Sequence, residues 1–398
     1  MESSLLRQTR LATIAAQPSR RSRRLQAQKQ DWSTVLPLEL WEHISKRLPS
    51  GRRDAANFRS TCRLWRAALP FTKFAPVLML QVHGESRDGA TAFYRPTDGE
   101  AFTKNLPALH GRVVCGSSHG WLALVDEAAC LTLLNPFTGA TVALPRTDGR
   151  FSFLFWRFLV DGRWVTQSPL GGAAREIKLA EMRKLFITEV VLSSPADSGD
   201  CIAIALLRGS WNVAYCRVGV DASWKLLNTK LMHQVSSVVQ CRNRFLAISC
   251  TGQVSICNLF GATPTARLVQ GLDLPTNVSP RAYLQVNGKL HMVAHSCPTR
   301  VYECNVFSRT PLWSRVHNAG DLTLLTSHNF MTGHGRASVS GLDKNSVYFP
   351  VYIPPEHRRS NHLWFVISNI ANGTTKMHPC HQNTDGTSEP LCWIIPKP

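Results

Sequence analysis

Residues 282–294 read AYLQVNGKLHMVA, two apolar arms that meet at Asn287-Gly288. Asn-Gly between alternating apolar residues predicts a tight hairpin, because both residues tolerate the positive φ that a two-residue turn matched to strand twist requires. VVQCRNRFLAISCTGQVSICNL (238–259) repeats the pattern, with turns predicted at Arg242-Asn243 and Thr251-Gly252. Laying Cys241-Arg242-Asn243 over Val286-Asn287-Gly288 takes a shift of about 45 residues. A weaker echo, ALLRGSWNVAYCRVGVDASWKLL, occupies 205–227, and RVVCGSSHGWLALVDEAACLTLLNPFTGATVALP (112–145) fits as well. A unit of roughly 40 to 50 residues made only of strands is the sequence form of a propeller blade. Residues 75 to 395 have room for six or seven such units. A β-sandwich would not require this spacing, so the propeller is the preferred reading. Within it only EIKLAEMRKL (176–185) predicts a short helix. Trp121, Trp211, Trp224, Trp313 and Trp364 each begin or end a strand-like run and read as blade core.

Working outward, 398 residues at 44% hydrophobic suffice for a large core and a small additional module. The longest apolar runs, CIAIALL (201–207) and FSFLFWRFLV (151–160), fall short of the roughly 20 residues that span a bilayer, so no membrane partner is expected. Twelve cysteines at this length, none spaced as C-x-x-C, read as reduced and mostly buried thiols. The formal net charge is +19, and residues 1–75 carry 15 basic against 5 acidic side chains. The basic end is therefore the front end, which favours an acidic partner without specifying one. A nucleic-acid binder would use the same charges and would weaken steeply with salt. It is kept as an alternative.

Residues 1–30 are rich in Arg, Ser and Gln and hold one acid, Glu2, so they are expected to form a disordered basic arm. RRSRR (20–24) matches a nuclear-localisation patch, and an Arg-rich, acid-poor arm also matches an organellar transit peptide. Residues 31–70 form a different unit, with 71–76 as linker and 77–395 as propeller. Leu36, Leu40, Ile44 and Leu48 recur every four residues on a helix that can start at Pro37, with Ser33 or Thr34 as cap; Pro49 and Gly51 end it. A second helix from about Asp54 carries Phe58, Cys62, Trp65 and Leu69 on one face. A hairpin of about forty residues with two apolar stripes cannot cover both by itself.

The strand-rich region also contains Gly116-x-Ser118-x-Gly120, the pattern of an esterase elbow. That elbow needs strand, turn and then helix, whereas GWLALV after the turn is β-type. Ser118 is thus expected in a hairpin turn. Met377 to His381 groups two His with Cys380 but lacks the second half of a metal site, His291 and His295 are read as core or surface residues, and no phosphate-binding loop occurs. No cofactor, metal or catalytic residue is expected.

The hairpin resembles an F-box. The match runs through Leu36-Pro37-x-Glu39-Leu40, Ile44, Arg47-Leu48-Pro49, Asp54 and Phe58-Arg59-Ser60-x-Cys62-Arg63-x-Trp65-Arg66, with Thr61 where the family usually has Val. The remainder is similar to the C-terminal propeller of plant F-box proteins of KIB type. The similarity lies at Ser118-x-Gly120-Trp121-Leu122, at Leu134 to Gly139 through Leu144-Pro145, and at DLTLLTSHNF…SVSGLDKNSVYF (321–349). Pro350, where that family tends to have an acid, makes the last blade the one that departs most. The resemblance implies a mainly β protein, a small α-helical F-box followed by a six- or seven-bladed β-propeller. It implies a non-catalytic substrate receptor of a Skp-cullin-F-box ubiquitin ligase in nucleus and cytoplasm, with an organelle left open by the arm. A Skp-type adaptor, and through it cullin and RING subunits, would contact Leu36, Pro37, Leu40, Ile44, Leu48, Pro49, Phe58 and Trp65. Of these Leu36, Pro37, Ile44 and Leu48 are expected to face the adaptor, ringed by Arg47, Arg52, Arg53, Arg59 and Arg63. An unidentified protein target would bind propeller loops. A propeller interaction module with a non-functional F-box is the alternative.

Overall fold

A computed structural model of the chain describes Leu36, Pro37, Leu40, Trp41, Ile44, Phe58, Thr61, Cys62, Trp65 and Ala68, together with residues 75–82, 90–97, 99–147, 157–167, 173–294, 296–327, 331–336, 341–351, 362–382 and 388–395. The chain divides into two compact units, Met1–Leu69 and Pro70–Pro398.

Among the described residues the second unit contains seven sheets. Blade 1 is Val77–Val82, Ala90–Arg95 and Glu100–Asn105, completed on its inner side by Ser388–Ile394. Blade 2 is Val113–Ser118, Trp121–Val125, Leu131–Leu134 and Thr141–Ala143; blade 3 is Ile187–Leu192, Ile202–Leu207, Asn212–Arg217 and Lys225–Asn228. Blade 4 is Val235–Cys241, Arg244–Ser249, Val254–Asn258 and Thr265–Leu268; blade 5 is Pro280–Val286, Lys289–Ala294, Val301–Cys304 and Ser314–Val316. Blade 6 has five strands, in spatial order Met331–Arg336, Leu322–Thr326, Ser346–Val351, His362–Asn369 and Thr375–Gln382; its second and third strands run parallel.

The seventh sheet, Arg157–Val160, Arg163–Thr166 and Arg175–Glu176, followed by helix α1 (Leu179–Leu185), is an insertion between blades 2 and 3 and not a blade of the ring. The inner strands of blades 2 and 3 pack directly on each other: Leu192 N–H donates to Ser118 Oγ at 3.0 Å, and a Cβ on Gly116 would stand 2.1 Å from the Val190 carbonyl oxygen. Trp164, Ile177 and Met182 of the insertion only add to the cluster those two blades share. Among the described residues six buried clusters, one per neighbouring pair, close a six-bladed ring.

That sandwiching explains the sequence of the inner strands. In Ile202–Leu207 every residue is buried, but the two faces serve different neighbours. Ala203, Ala205 and Leu207 join the cluster with blade 2, and Ile202, Ile204 and Leu206 join the one with blade 4. A strand buried on both faces reads as a continuous apolar run, which is why CIAIALL shows no alternation. Outer strands such as Thr265–Leu268 alternate between exposed and half-buried positions. The Asn287-Gly288 turn forms as expected, with φ of 49° and 74° between paired strands, and the helix predicted in 176–185 is α1.

The tryptophans sort less uniformly. Trp121, Trp224 and Trp313 are buried and Trp364 half-buried, but Trp211 is 47% exposed in the turn that precedes Asn212–Arg217. The apolar context that suggested a core position belongs to the strands on either side of that turn. In blade 6 the GLDKNSVYF stretch is a tied turn: Thr323 Oγ1 donates to the Asp343 carbonyl at 2.8 Å and Asp343 N–H to the Tyr348 hydroxyl at 3.0 Å.

Candidate protein-interaction sites

In the first unit the chain turns into a helix at Pro37, whose carbonyl accepts from Leu40 N–H at 3.1 Å. One residue beyond the predicted stripe, Trp41 is 4% exposed and meets Trp65 with ring centroids 4.5 Å apart; Phe58 stacks on Trp65 at the same distance. Ala68 is fully buried and Phe58 is 5% exposed. Each such aromatic pair adds about 0.5–1.5 kcal/mol beyond its area burial. Trp41, Phe58, Trp65 and Ala68 are therefore the inward side of this small module. Of the eight residues proposed for an adaptor, Phe58 is buried and Trp65 half-buried in these ring contacts.

The other stripe faces outward. Leu40 is 46% and Ile44 40% exposed, Pro37 is exposed and Leu36 half-buried, a row of apolar side chains on successive turns. Such a row is what a helix offers to an apolar groove on a partner. Leu48 and Pro49, the capping residues Ser33 and Thr34, and the arginines at 47, 52, 53, 59 and 63 lie outside the described residues. Trp41 was missed because the period-four stripe drew attention to its neighbour Leu40. The signal was present, as a Leu40-Trp41 pair flanked by Glu39 and Glu42 has an apolar reason to be there.

In the propeller, each element of Gly116-x-Ser118-x-Gly120 has a structural duty. Gly116 lets the blade 2 and blade 3 backbones approach, Ser118 Oγ accepts from Leu192 N–H, and Gly120, at φ 80°, makes the hairpin turn with His119 at φ 54°. Ser117 Oγ, on the opposite face, donates to the Trp393 carbonyl at 2.8 Å. Two successive serines thus tie blade 2 to both neighbours. Nδ1 of buried His291 has no partner among the described residues, and burial holds this imidazole below its ordinary pKa against the raising effect of Glu303, 3.5 Å away. His378, from the predicted His/Cys group, is exposed and stacks on Phe365 at 5.2 Å.

At the end of the ring opposite the Asn287-Gly288 turn, Trp211 and Met232 expose 47% and 73% of their surface. Thr229 Oγ1 donates to the Trp211 carbonyl at 2.6 Å and Val235 N–H to the Ser210 carbonyl at 2.8 Å, so the two loops that carry them are tied together. The inserted sheet leaves the ring at the same end and exposes Phe158, Leu159 and Val160 in succession. Loops that hold a Trp and a Met in water on a rigid scaffold suit protein recognition.

Fold and surface together define a six-bladed propeller preceded by a helical module with an exposed apolar row. The chain belongs to the KIB1-4 beta-propeller family, whose model matches residues 93–368. It is also similar to a candidate F-box protein of Arabidopsis thaliana, 32% identical over 132 residues, which are 30% of this chain and 32% of the relative. The chain thus matches about a third of that relative's length. Among solved structures it is similar to the N-terminal domain of Nup159, at 9% identity over 81% of each chain with a TM-score of 0.32. It is likewise similar to the Swd1 propeller of Myceliophthora thermophila, at 10% identity over 76% of this chain and 97% of the other with a TM-score of 0.31. The propeller and the relative fit a non-enzymatic protein-interaction module.

Proposed function

We propose that this protein is an F-box substrate receptor of a Skp-cullin-F-box ubiquitin ligase. The observation that carries the reading is the outward row Pro37, Leu40 and Ile44 over an inward aromatic core of Trp41, Phe58 and Trp65. A module that spends its aromatics on its own fold and leaves aliphatic side chains in water is built to be covered by another helical surface. An adaptor of Skp type would cover it and bring cullin and RING subunits. The propeller end with Trp211 and Met232 would hold the protein target near the ubiquitin-charged enzyme, so the contribution to catalysis is proximity. Nucleus and cytoplasm are the compartments this role proposes.

The test is co-purification of the full chain with a plant Skp-type adaptor, beside a Leu40→Asp, Ile44→Asp double variant. Capture by the wild type and its loss in a variant with unchanged circular dichroism supports the reading. Absence of capture by the wild type overturns it, leaving a propeller interaction module with a non-functional F-box.

A further inference from the structure

The end of the propeller that exposes Trp211 also opens a cleft between blades 5 and 6, about 340 Å³ in volume. Ala294, Cys297 and Phe349 wall it, and Arg281, Ser296, Thr299 and Thr375 supply its polar groups. Arg281 is the second residue of the inner strand of blade 5 and Ala294 ends the next, so both stand at the ring end opposite the Asn287-Gly288 turn.

Several cations of the propeller have polar partners, and Arg242, like Arg281, lies over an aromatic ring, that of Phe307, 4.8 Å from its centroid. Arg95 pairs with Glu100 at 3.1 Å, Arg175 with Glu181 at 2.7 Å and Lys289 with Glu303 at 2.6 Å, while Lys104 donates to two carbonyls. Arg281 is half-buried, with its guanidinium carbon 4.2 Å from the centroid of the Phe349 ring. Among the described residues it has neither a carboxylate nor a carbonyl acceptor. An aromatic face attracts the cation but gives its five N–H donors no lone pair. Burial lowers the pKa of this group. A cation held partly out of water without an anion is a cost that a bound anion removes.

The rest of the lining specifies the kind of anion. Ser296 Oγ already donates to the Pro298 carbonyl at 2.9 Å, which leaves the hydroxyls of Thr299 and Thr375, neither partnered among the described residues. Among the described residues no carboxylate lines the cleft. A guanidinium fork alone satisfies the two oxygens of a carboxylate, whereas a phosphoryl group presents a third oxygen that added hydroxyl donors can reach. We propose that the cleft between blades 5 and 6 is a phosphoryl-binding site, with Arg281 as its cation and Thr299 and Thr375 as hydroxyl donors. In the receptor reading, on which this last step alone rests, it would recognise a phosphorylated side chain of the target.

The experiment is a titration of the full chain with inorganic phosphate and with N-acetyl-O-phosphoserine methylamide, followed by phosphorus NMR line width, with acetate as competitor. Both probes are expected to bind saturably below roughly 10 mM, and Arg281→Met is expected to weaken them about tenfold, the size of one charge-assisted contact. Thr375→Val, at an exposed position, is expected to fold normally and to weaken both several-fold. Preference for the phosphoserine amide would assign the site to a modified side chain; binding of inorganic phosphate alone would assign it to the free ion. No saturable binding of either probe, or equal affinities in wild type, folded Arg281→Met and Thr375→Val, overturns the site. Adaptor capture does not depend on this cleft, so the receptor reading and the phosphoryl site fail independently.

Discussion

Replacing Gly116 by Ala tests the architecture at the junction of blades 2 and 3. The added methyl carbon would lie 2.1 Å from the Val190 oxygen, 3.0 Å from its carbonyl carbon and 3.2 Å from its nitrogen, all backbone atoms that no rotamer change can move. Ordinary contact lies at ~3.5 Å, so the two inner strands must part by roughly 1.4 Å. Overpacking of that kind costs about 1–3 kcal/mol, and separation also stretches the Leu192 N–H to Ser118 Oγ bond, worth ~1 kcal/mol. The expected loss is about 2–4 kcal/mol. Two companions calibrate it. Gly139→Ala meets no atom within 4 Å but sits at φ 78°, which predicts a loss of about 1–2 kcal/mol from backbone strain alone. Ser118→Ala leaves the Leu192 amide without its acceptor, for about 1–2 kcal/mol. Urea midpoints rank the three variants, and hydrogen exchange of the peptide spanning 187–192 reads the junction directly. A Gly116→Ala midpoint no lower than that of Gly139→Ala would refute direct contact of blades 2 and 3. Unchanged exchange at Leu192 in Ser118→Ala would refute the structural role of the serine.

Further outcomes follow from the burial of single groups. Phe58→Ala should unfold the helical module, whereas Leu40→Asp should leave its circular dichroism intact while abolishing adaptor capture, because Phe58 is 5% and Leu40 46% exposed. With a thiol reagent, exposed Cys250 and Cys297 should react in the native protein; buried Cys115 and Cys392, whose thiols burial pushes up to about 12, should react only on unfolding. Burial lowers the His291 pKa, so below the ordinary value of about 6.5 the unfolded chain takes up a proton more readily than the folded one. Stability should therefore decline as pH falls from 7 through that value towards the lowered one, and His291→Gln should flatten this part of a stability–pH curve.

The strands and turns were legible wherever local chemistry dictates them. Asn287-Gly288 announced its hairpin, and the apolar runs of the inner strands followed from burial on two faces. The blade register was less legible because its repeat lies in a turn and not in the strands. Asn135-Pro-Phe, Asn258-Leu-Phe and Asn305-Val-Phe each place an Asn at a strand end, and its Oδ1 accepts from the N–H of the Phe two residues on, at 3.0, 3.3 and 3.2 Å. This Asx turn recurs between the third and fourth strands of blades 2, 4 and 5, and its spacing would have fixed the blades directly. In blade 6 Asn369 does the same for Ala371 at 3.0 Å. The insertion at 157–185 was not legible as such, since a short three-stranded sheet reads like a blade until its neighbours are seen to touch without it. In the helical module the stripe was found but not its sense, because period alone cannot tell which of two apolar faces the fold covers.

Closure of the ring sets a sharper condition on the chain than any single core residue. The strand Ser388–Ile394 supplies the inner edge of a blade whose other three strands begin at Val77, and it pairs with Val77–Val82 along its length. Trp393, fully buried, donates from Nε1 to the Thr326 carbonyl in blade 6 at 2.9 Å, and its own carbonyl accepts from Ser117 in blade 2. Cys392 and Ile394 point to the cluster with blade 2, while Trp393 points to the cluster with blade 6. One short strand therefore joins both sides of the seam between the two ends of the propeller. Removing residues 388–398 would open both clusters together and uncover the backbone groups of Val77–Val82, a free edge prone to pair with other chains. A chain ending at residue 387 should aggregate at concentrations where the full chain stays monodisperse in light scattering, and Trp393→Phe, which keeps the ring but drops the hydrogen bond to Thr326, should stay monodisperse. A truncated chain that remained monodisperse with native far-ultraviolet circular dichroism would show that the ring holds without its seam.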